Sequence, residues 1–252
     1  MTDENQGGEE QLKVMGLFEH IEELRSRLVK SALAIVVFFF IAYAYADVLL
    51  GILKQPLVAV LPRGANALHF TGPMDVFLAN VKLGLFVALM CSCPVWLYQF
   101  WRFVEPALYA HEKKYVTPFM VSSISLFLAG VSFCFFVIVP LALSYLIGLG
   151  IQMGTTPIIT ISDYLSLLIL MMVGFGLVFE TPVILVLLSM LGLVSSEMLS
   201  QNRRIVIVII FIVAAVLTPT PDPVSQCAMA FPTWAMYEAS IIIIRWLEKK
   251  KA

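Results

Sequence analysis

Along the chain, apolar residues gather into six long runs divided by polar segments. The runs lie near Leu28–Leu50, Val76–Phe100, Val116–Leu146, Tyr164–Leu191, Ile205–Leu217 and Val224–Ile244. A helix needs about 20 apolar residues to cross a hydrocarbon layer roughly 30 Å thick. Five runs reach that length. The fifth in order, Ile205–Leu217, holds 13 residues, about 20 Å of helix. A span that short requires local thinning of the bilayer or association with other helices. A backbone in lipid must satisfy its own hydrogen bonds, so the runs read as helices. Pro94, Pro118, Pro140, Pro182 and Pro232 fall inside them. Each removes a backbone donor and favours a kink. The expected fold is an all-α membrane protein, about six kinked transmembrane helices forming a concave bundle, with no internal repeat.

Composition agrees with the pattern. Hydrophobic residues make up 60% of the 252 and charged residues 13%, and mean hydropathy is +0.94. A soluble domain carries about 45–50% apolar and about 25% charged residues, so this chain has too little polar surface to cover a soluble core. Its net charge of -1 adds nothing; the placement of charge does. Thirteen of the 16 Lys and Arg residues fall on one set of flanks: Lys13, Arg25, Arg27 and Lys30; Arg102, Lys113 and Lys114; Arg203 and Arg204; Arg245 and Lys249–Lys251. The opposite flanks hold Lys54 and Arg63, and Lys82 lies within the second run. The positive-inside rule places the rich flanks, and both termini, in the cytoplasm.

This division gives three expected parts: an acidic cytoplasmic tail over residues 1–16, a transmembrane domain over 17–248, and a basic end over 249–252. The tail, MTDENQGGEE and onward, lacks the basic start and apolar stretch of an export signal and has the composition of a disordered segment. On the outer side, Lys54–Pro73 is long enough to form a small cap. Thr218–Pro223 (TPTPDP) is short and stiff, which predicts a tight hairpin between the fifth and sixth helices.

Candidate chemistry is sparse. Cys91, Cys93, Cys134 and Cys227 show neither zinc-ligand nor disulfide-framework spacing. No nucleophile set, metal cluster or phosphate loop is present, so neither an enzyme, a resident cofactor nor a nucleic-acid partner is expected. Charge within a membrane is the stronger functional signal. Glu180, in LVFETPVILVLL, lies past the middle of the fourth run. It is expected to face lipid or a watery hollow open to a partner helix, since a dry core would demand a fixed cation; the reading set against this is a hydrogen-bonded structural carboxyl. Glu238 is expected near the inner interface, reaching water or Arg245. Lys82 is expected to snorkel to the outer interface. On the inner face, Glu23 would pair with Arg27 one helical turn on, and Glu112 would be solvated beside Lys113 and Lys114. Together these two acids could receive a basic ligand. A proton-coupled secondary transporter titrating at Glu180 is the alternative these residues leave open.

Four blocks carry a resemblance: HIEELRSRL from His20, SCPVWLYQFWRFVEPALYAHEKK from Ser92, FETP from Phe179 and LTPTPDPVSQ from Leu217. In this order and spacing they resemble the TatC family, the multispanning subunit of the twin-arginine protein translocase. The likeness runs from about Leu17 to the C-terminus; Ala107 stands where many relatives have glycine, and the TPTPDP loop is longer than in some. The resemblance implies recognition of twin-arginine signal peptides of folded precursors on the cytoplasmic face of a bacterial inner membrane. It assigns that role to Glu23, Arg25, Phe103 and Glu112, with His20 and Tyr109 beside them. A carboxylate can grip the planar guanidinium fork with two bonds, a geometry that lysine cannot copy. It further implies single-span partners, TatA and TatB, docking at Glu180, Thr218 and Gln226. Other copies of the same subunit are implied as partners too. Pro56, Pro94 and Asp222 match family positions in the outer cap, the second helix and the last outer loop. Export driven by the proton motive force, without a cofactor, completes the expectation.

Overall fold

The computed structural model describes residues 17–61, 68–107, 116–155, 158–218 and 223–251. These are helical apart from short joints and one isolated bridge between His69 and Thr160. In chain order the helices are α1 (Leu17–Ala44), α2 (Ala46–Leu53), α3 (Gln55–Val60), α4 (Pro73–Cys91), α5 (Cys93–Val104), α6 (Val116–Phe133), α7 (Val139–Gln152), α8 (Ile161–Phe179), α9 (Thr181–Met190), α10 (Ser196–Gln201), α11 (Arg203–Leu217) and α12 (Pro223–Lys251). Counting α6 with α7 and α8 with α9 as continuous rods, five stretches are long and apolar enough to cross a membrane. The apolar α11 has 15 residues, about 22 Å of helix, and keeps the shortness its sequence predicts.

Prolines set the joints. Pro94 and Pro182 each occupy the start of a new helix, so the second and fourth runs break at Ser92 and Glu180. Pro182 deprives the Val178 carbonyl of its helical donor; the Thr181 hydroxyl donates to that oxygen instead at 2.6 Å. At the other joint, Ser92 Oγ and Trp96 Nε1 both donate to the Leu89 carbonyl, at 3.3 and 3.1 Å. Upstream of Pro140 the helix loosens into a π-helical turn, Cys134–Ile138, which absorbs the missing donor without ending the rod. Pro232 lies within the continuous α12. The first run differs from its expected bounds: α1 begins eleven residues before Leu28 and ends at Ala44, and α2 follows as a separate helix. The sixth run reaches through Lys251, so the basic end belongs to a helix.

The core sits where α6 meets α8, with α4, α7 and α12 against them. Glycines permit the close approach. A Cβ on Gly130 would fall 2.7 Å from the Phe175 carbonyl, and one on Gly176 would fall 2.6 Å from the Phe127 ring. Where lipid supplies no hydrophobic drive between helices, such small residues let the backbones pack. By contrast α1 is mostly exposed and apolar, as at Leu28, Leu33 and Phe40, and rests chiefly on α4.

Contacts tie the helix ends into two faces. At the basic end, α1 meets α5, while α5, α6, α9, α10 and α12 share two small apolar clusters. At the opposite end, α2 and α3 form a cap; of the expected cap over Lys54–Pro73 it includes α3, and residues 62–67 lie outside the described residues. The Tyr164 hydroxyl donates to the Leu53 carbonyl at 2.6 Å, and Leu57, after the buried Pro56, is fully enclosed.

Candidate functional site

The basic face carries a polar groove of about 530 Å3 between α1 and α5, lined by Glu22, Glu23, Arg27, Lys30, Gln99 and Arg102 among others. The helical repeat builds it: Glu23, Arg27 and Lys30 lie three and four residues apart, on one stripe of α1. The Arg27 guanidinium gives two hydrogen bonds to one oxygen of Glu23, Oε1, as the sequence predicts. Another of its nitrogens reaches Gln99 on α5 at 3.5 Å. The second Glu23 oxygen, Oε2, is buried and has no hydrogen-bond partner. Arg102 is held by Glu105 at 2.6 Å.

Of the expected recognition residues, the structure brings three to this corner. His20 stacks on Phe103 with ring centroids 4.4 Å apart, one turn before Glu23 on α1. Arg25 is exposed and does not line the groove. Glu112, Tyr109 and Asp222 lie outside the described residues. Sequence reasoning passed over Gln99; its place in the conspicuous block from Ser92, one turn after the Trp96 that marks the helix joint, was the available signal.

Glu180 is a correction. It neither faces lipid nor opens to a hollow: it is 6% exposed, at the joint between α8 and α9. Its expected escape from a dry core rested on the need for a cation, and the core answers it with a neutral hydroxyl. Ser123 Oγ donates to Glu180 Oε2 at 2.7 Å and accepts from Trp101 Nε1 at 3.0 Å. Trp101, itself 1% exposed, stacks on Phe119. Glu180 Oε1 is buried with no hydrogen-bond partner, and no Lys or Arg among the described residues pairs with this carboxyl. Trp101 and Ser123 are thus site residues that the sequence did not disclose, because the three members lie on three different helices.

Other polar positions are settled inside the chain. Thr218, expected to face a partner helix, is buried and donates to Ala214 one turn back at 2.9 Å. Gln226 donates to the Phe211 carbonyl at 3.0 Å and so staples α12 to α11. Glu238 pairs with Arg203 at 2.9 Å rather than with Arg245, which donates to Ser200. The reason is reach: α10 and α11 pack beside α12, so Arg203 lies across from Glu238. Lys82 donates to Ser162 and Ser166, at 3.1 and 2.9 Å, in the first turns of α8. Pro94 marks the α4–α5 joint and Pro56 anchors the cap.

Comparison with known proteins places this geometry. Residues 19–232 match the family model described as Sec-independent protein translocase protein (TatC). The chain is 40% identical over 226 residues to the Sec-independent protein translocase protein TatC of Campylobacter jejuni, covering 90% of this chain and 92% of that one. It is 37% identical over 233 residues to the protein of the same name from Escherichia coli K12, covering 91% and 88%. Among solved structures it is similar to a twin arginine translocase receptor, TatC, at a TM-score of 0.78 and 38% identity, covering 90% of this chain and 99% of that one. The secondary-transporter alternative gives way to a protein translocase component, which is a transport protein rather than an enzyme. The chain is a multi-pass membrane protein and belongs to the TatC family.

Proposed function

We propose that this chain is the receptor subunit of a twin-arginine translocase. It binds twin-arginine signal peptides of folded precursors at the α1–α5 groove and gathers TatA and TatB around it for export. The basic face then lies in the cytoplasm, with both termini, in a bacterial inner membrane, and the proton motive force drives the export. The observation that supports this reading is the groove itself. A carboxylate on the basic face is enclosed by α1 and α5 and keeps one acceptor oxygen unanswered. Guanidinium is the side-chain cation suited to such an oxygen, because its donors lie in a fixed planar fork. The stacked pair of His20 and Phe103 adds a flat wall one turn away, on which guanidinium planes can also lie. For the single-span partners, the exposed apolar surface of α11 and α12 offers a shallow groove of about 280 Å3, bordered by Ile207, Phe211, Phe231 and Trp234. Partner docking on this reading rests on that apolar surface, since Thr218 and Glu180 are occupied within the chain.

Photo-crosslinking tests the assignment. Membranes carrying the chain should capture a twin-arginine peptide and reject its twin-lysine counterpart. Glu23→Gln should lose the capture while the protein stays folded in the membrane. Equal capture of both peptides, or capture unchanged by Glu23→Gln, would contradict the receptor reading.

A further inference from the structure

The groove is already occupied by an arginine of its own. Arg27 directs Nε and a terminal nitrogen at the same Glu23 oxygen. This differs from a fork-on-fork pair, in which two parallel bonds satisfy both carboxylate oxygens. The consequence is visible in the structure: Oε1 is doubly bonded, whereas Oε2 is buried and has no hydrogen-bond partner. Both side chains are largely sheltered, each about one-fifth exposed (19% and 19%). Arg27 is also held at its far end by Gln99. It is therefore the resident partner of Glu23 and reaches from α1 to α5. Lys30 and Arg102 line the same groove, but Arg102 is engaged by Glu105 and no described carboxylate pairs with Lys30.

We propose that Arg27 is a specificity-determining residue of this site: an internal guanidinium that holds Glu23 at rest and that an incoming ligand must displace or share. The inference rests on the receptor reading above. A peptide guanidinium can bind Oε2 while its second donor competes for Oε1, so it can take over the carboxylate with bonds equal to those it replaces. A lysine ammonium offers one compact charge and cannot match the two bonds that Arg27 already makes. The resident arginine thus sets the threshold that excludes lysine. Discrimination of this kind works by penalising the wrong ligand as well as by favouring the right one.

Equilibrium binding of fluorescent twin-arginine and twin-lysine peptides to the full chain in nanodiscs tests this, with wild type, Arg27→Gln, Arg27→Lys and Glu23→Gln compared. Arg27→Gln removes the competing cation and should bind the twin-arginine peptide about tenfold more tightly, the size of one charge-assisted hydrogen bond. It should also begin to bind the twin-lysine peptide. Arg27→Lys, which keeps the charge but loses the fork, should fall between wild type and Arg27→Gln for both peptides. Arg27→Gln that binds twin-arginine peptide no better than wild type and still rejects twin-lysine peptide would overturn the inference. The arm with Glu23→Gln separates the two claims. If Glu23→Gln binds like wild type, the receptor reading of this groove fails. If it loses binding while Arg27→Gln gains nothing, the reading stands and the role of Arg27 falls.

Discussion

Glu23 and Glu180 are the same side chain in two opposed settings, and each has one oxygen answered and one left over. At Glu23 the answering group is a cation on the same helix, at the edge of a polar groove. At Glu180 it is a neutral serine on another helix, backed by a tryptophan from a third, in the packed interior. The contrast teaches what each can do. A pair between neighbouring turns of one helix adds only about 0.2–0.5 kcal/mol, so a ligand that offers equal bonds can take over its carboxylate. A carboxyl embedded in a three-helix chain of hydrogen bonds cannot be removed without stranding its neighbours. On the proposed reading Glu23 serves recognition, while Glu180 ties α5, α6 and the α8–α9 joint together.

This contrast predicts a ranking of stability changes, read as thermal unfolding of the purified protein in detergent. The largest belongs to the frame around Glu180. Gly130→Val should cost about 3 kcal/mol or more and lower the folded yield, because even its Cβ meets the Phe175 carbonyl and overpacking shifts backbone. Ser123→Ala should cost about 1–3 kcal/mol, since it leaves both the Trp101 N–H and the Glu180 oxygen unanswered in the interior. Glu180→Gln should cost under about 1 kcal/mol, because an amide oxygen still accepts the serine bond. If Glu180→Gln proved worse than Ser123→Ala, charge rather than hydrogen bonding would hold this joint. Glu23→Gln should change stability least, by about 0.2–0.5 kcal/mol, the range of an i,i+4 pair. A loss at Glu23→Gln as large as that at Ser123→Ala would erase the distinction between the two regions.

How much of this the sequence disclosed follows the same division. Local features were legible. Apolar runs gave the helices, prolines gave the joints at Ser92 and Glu180, and four-residue spacing gave the Glu23–Arg27 pair. The short α11 was legible by length alone. Features that depend on which face turns inward were not. A helix that is apolar all round gives no stripe to orient it, so nothing on α8 said that Glu180 would turn toward Ser123, 57 residues away. Arg203 lay too far along the chain from Glu238 for the pair to be read, and Arg245, one face of the same helix, looked nearer than it is. Thr218 and Gln226 showed the same limit: their polarity was visible, but the carbonyls that answer them belong to packing. The segment with Tyr109 and Glu112 was read from its block in the sequence and lies outside the described residues.

The central claim is that recognition belongs to Glu23 and not to Glu180. It is tested most directly by one titration of a fluorescent twin-arginine peptide against wild type, Glu23→Gln and Glu180→Gln in nanodiscs. Glu23→Gln should weaken binding about tenfold or more, the loss of one charge-assisted contact. Glu180→Gln, whose partners are separate, should stay within about twofold of wild type. Binding that survives Glu23→Gln but collapses in Glu180→Gln would contradict the account.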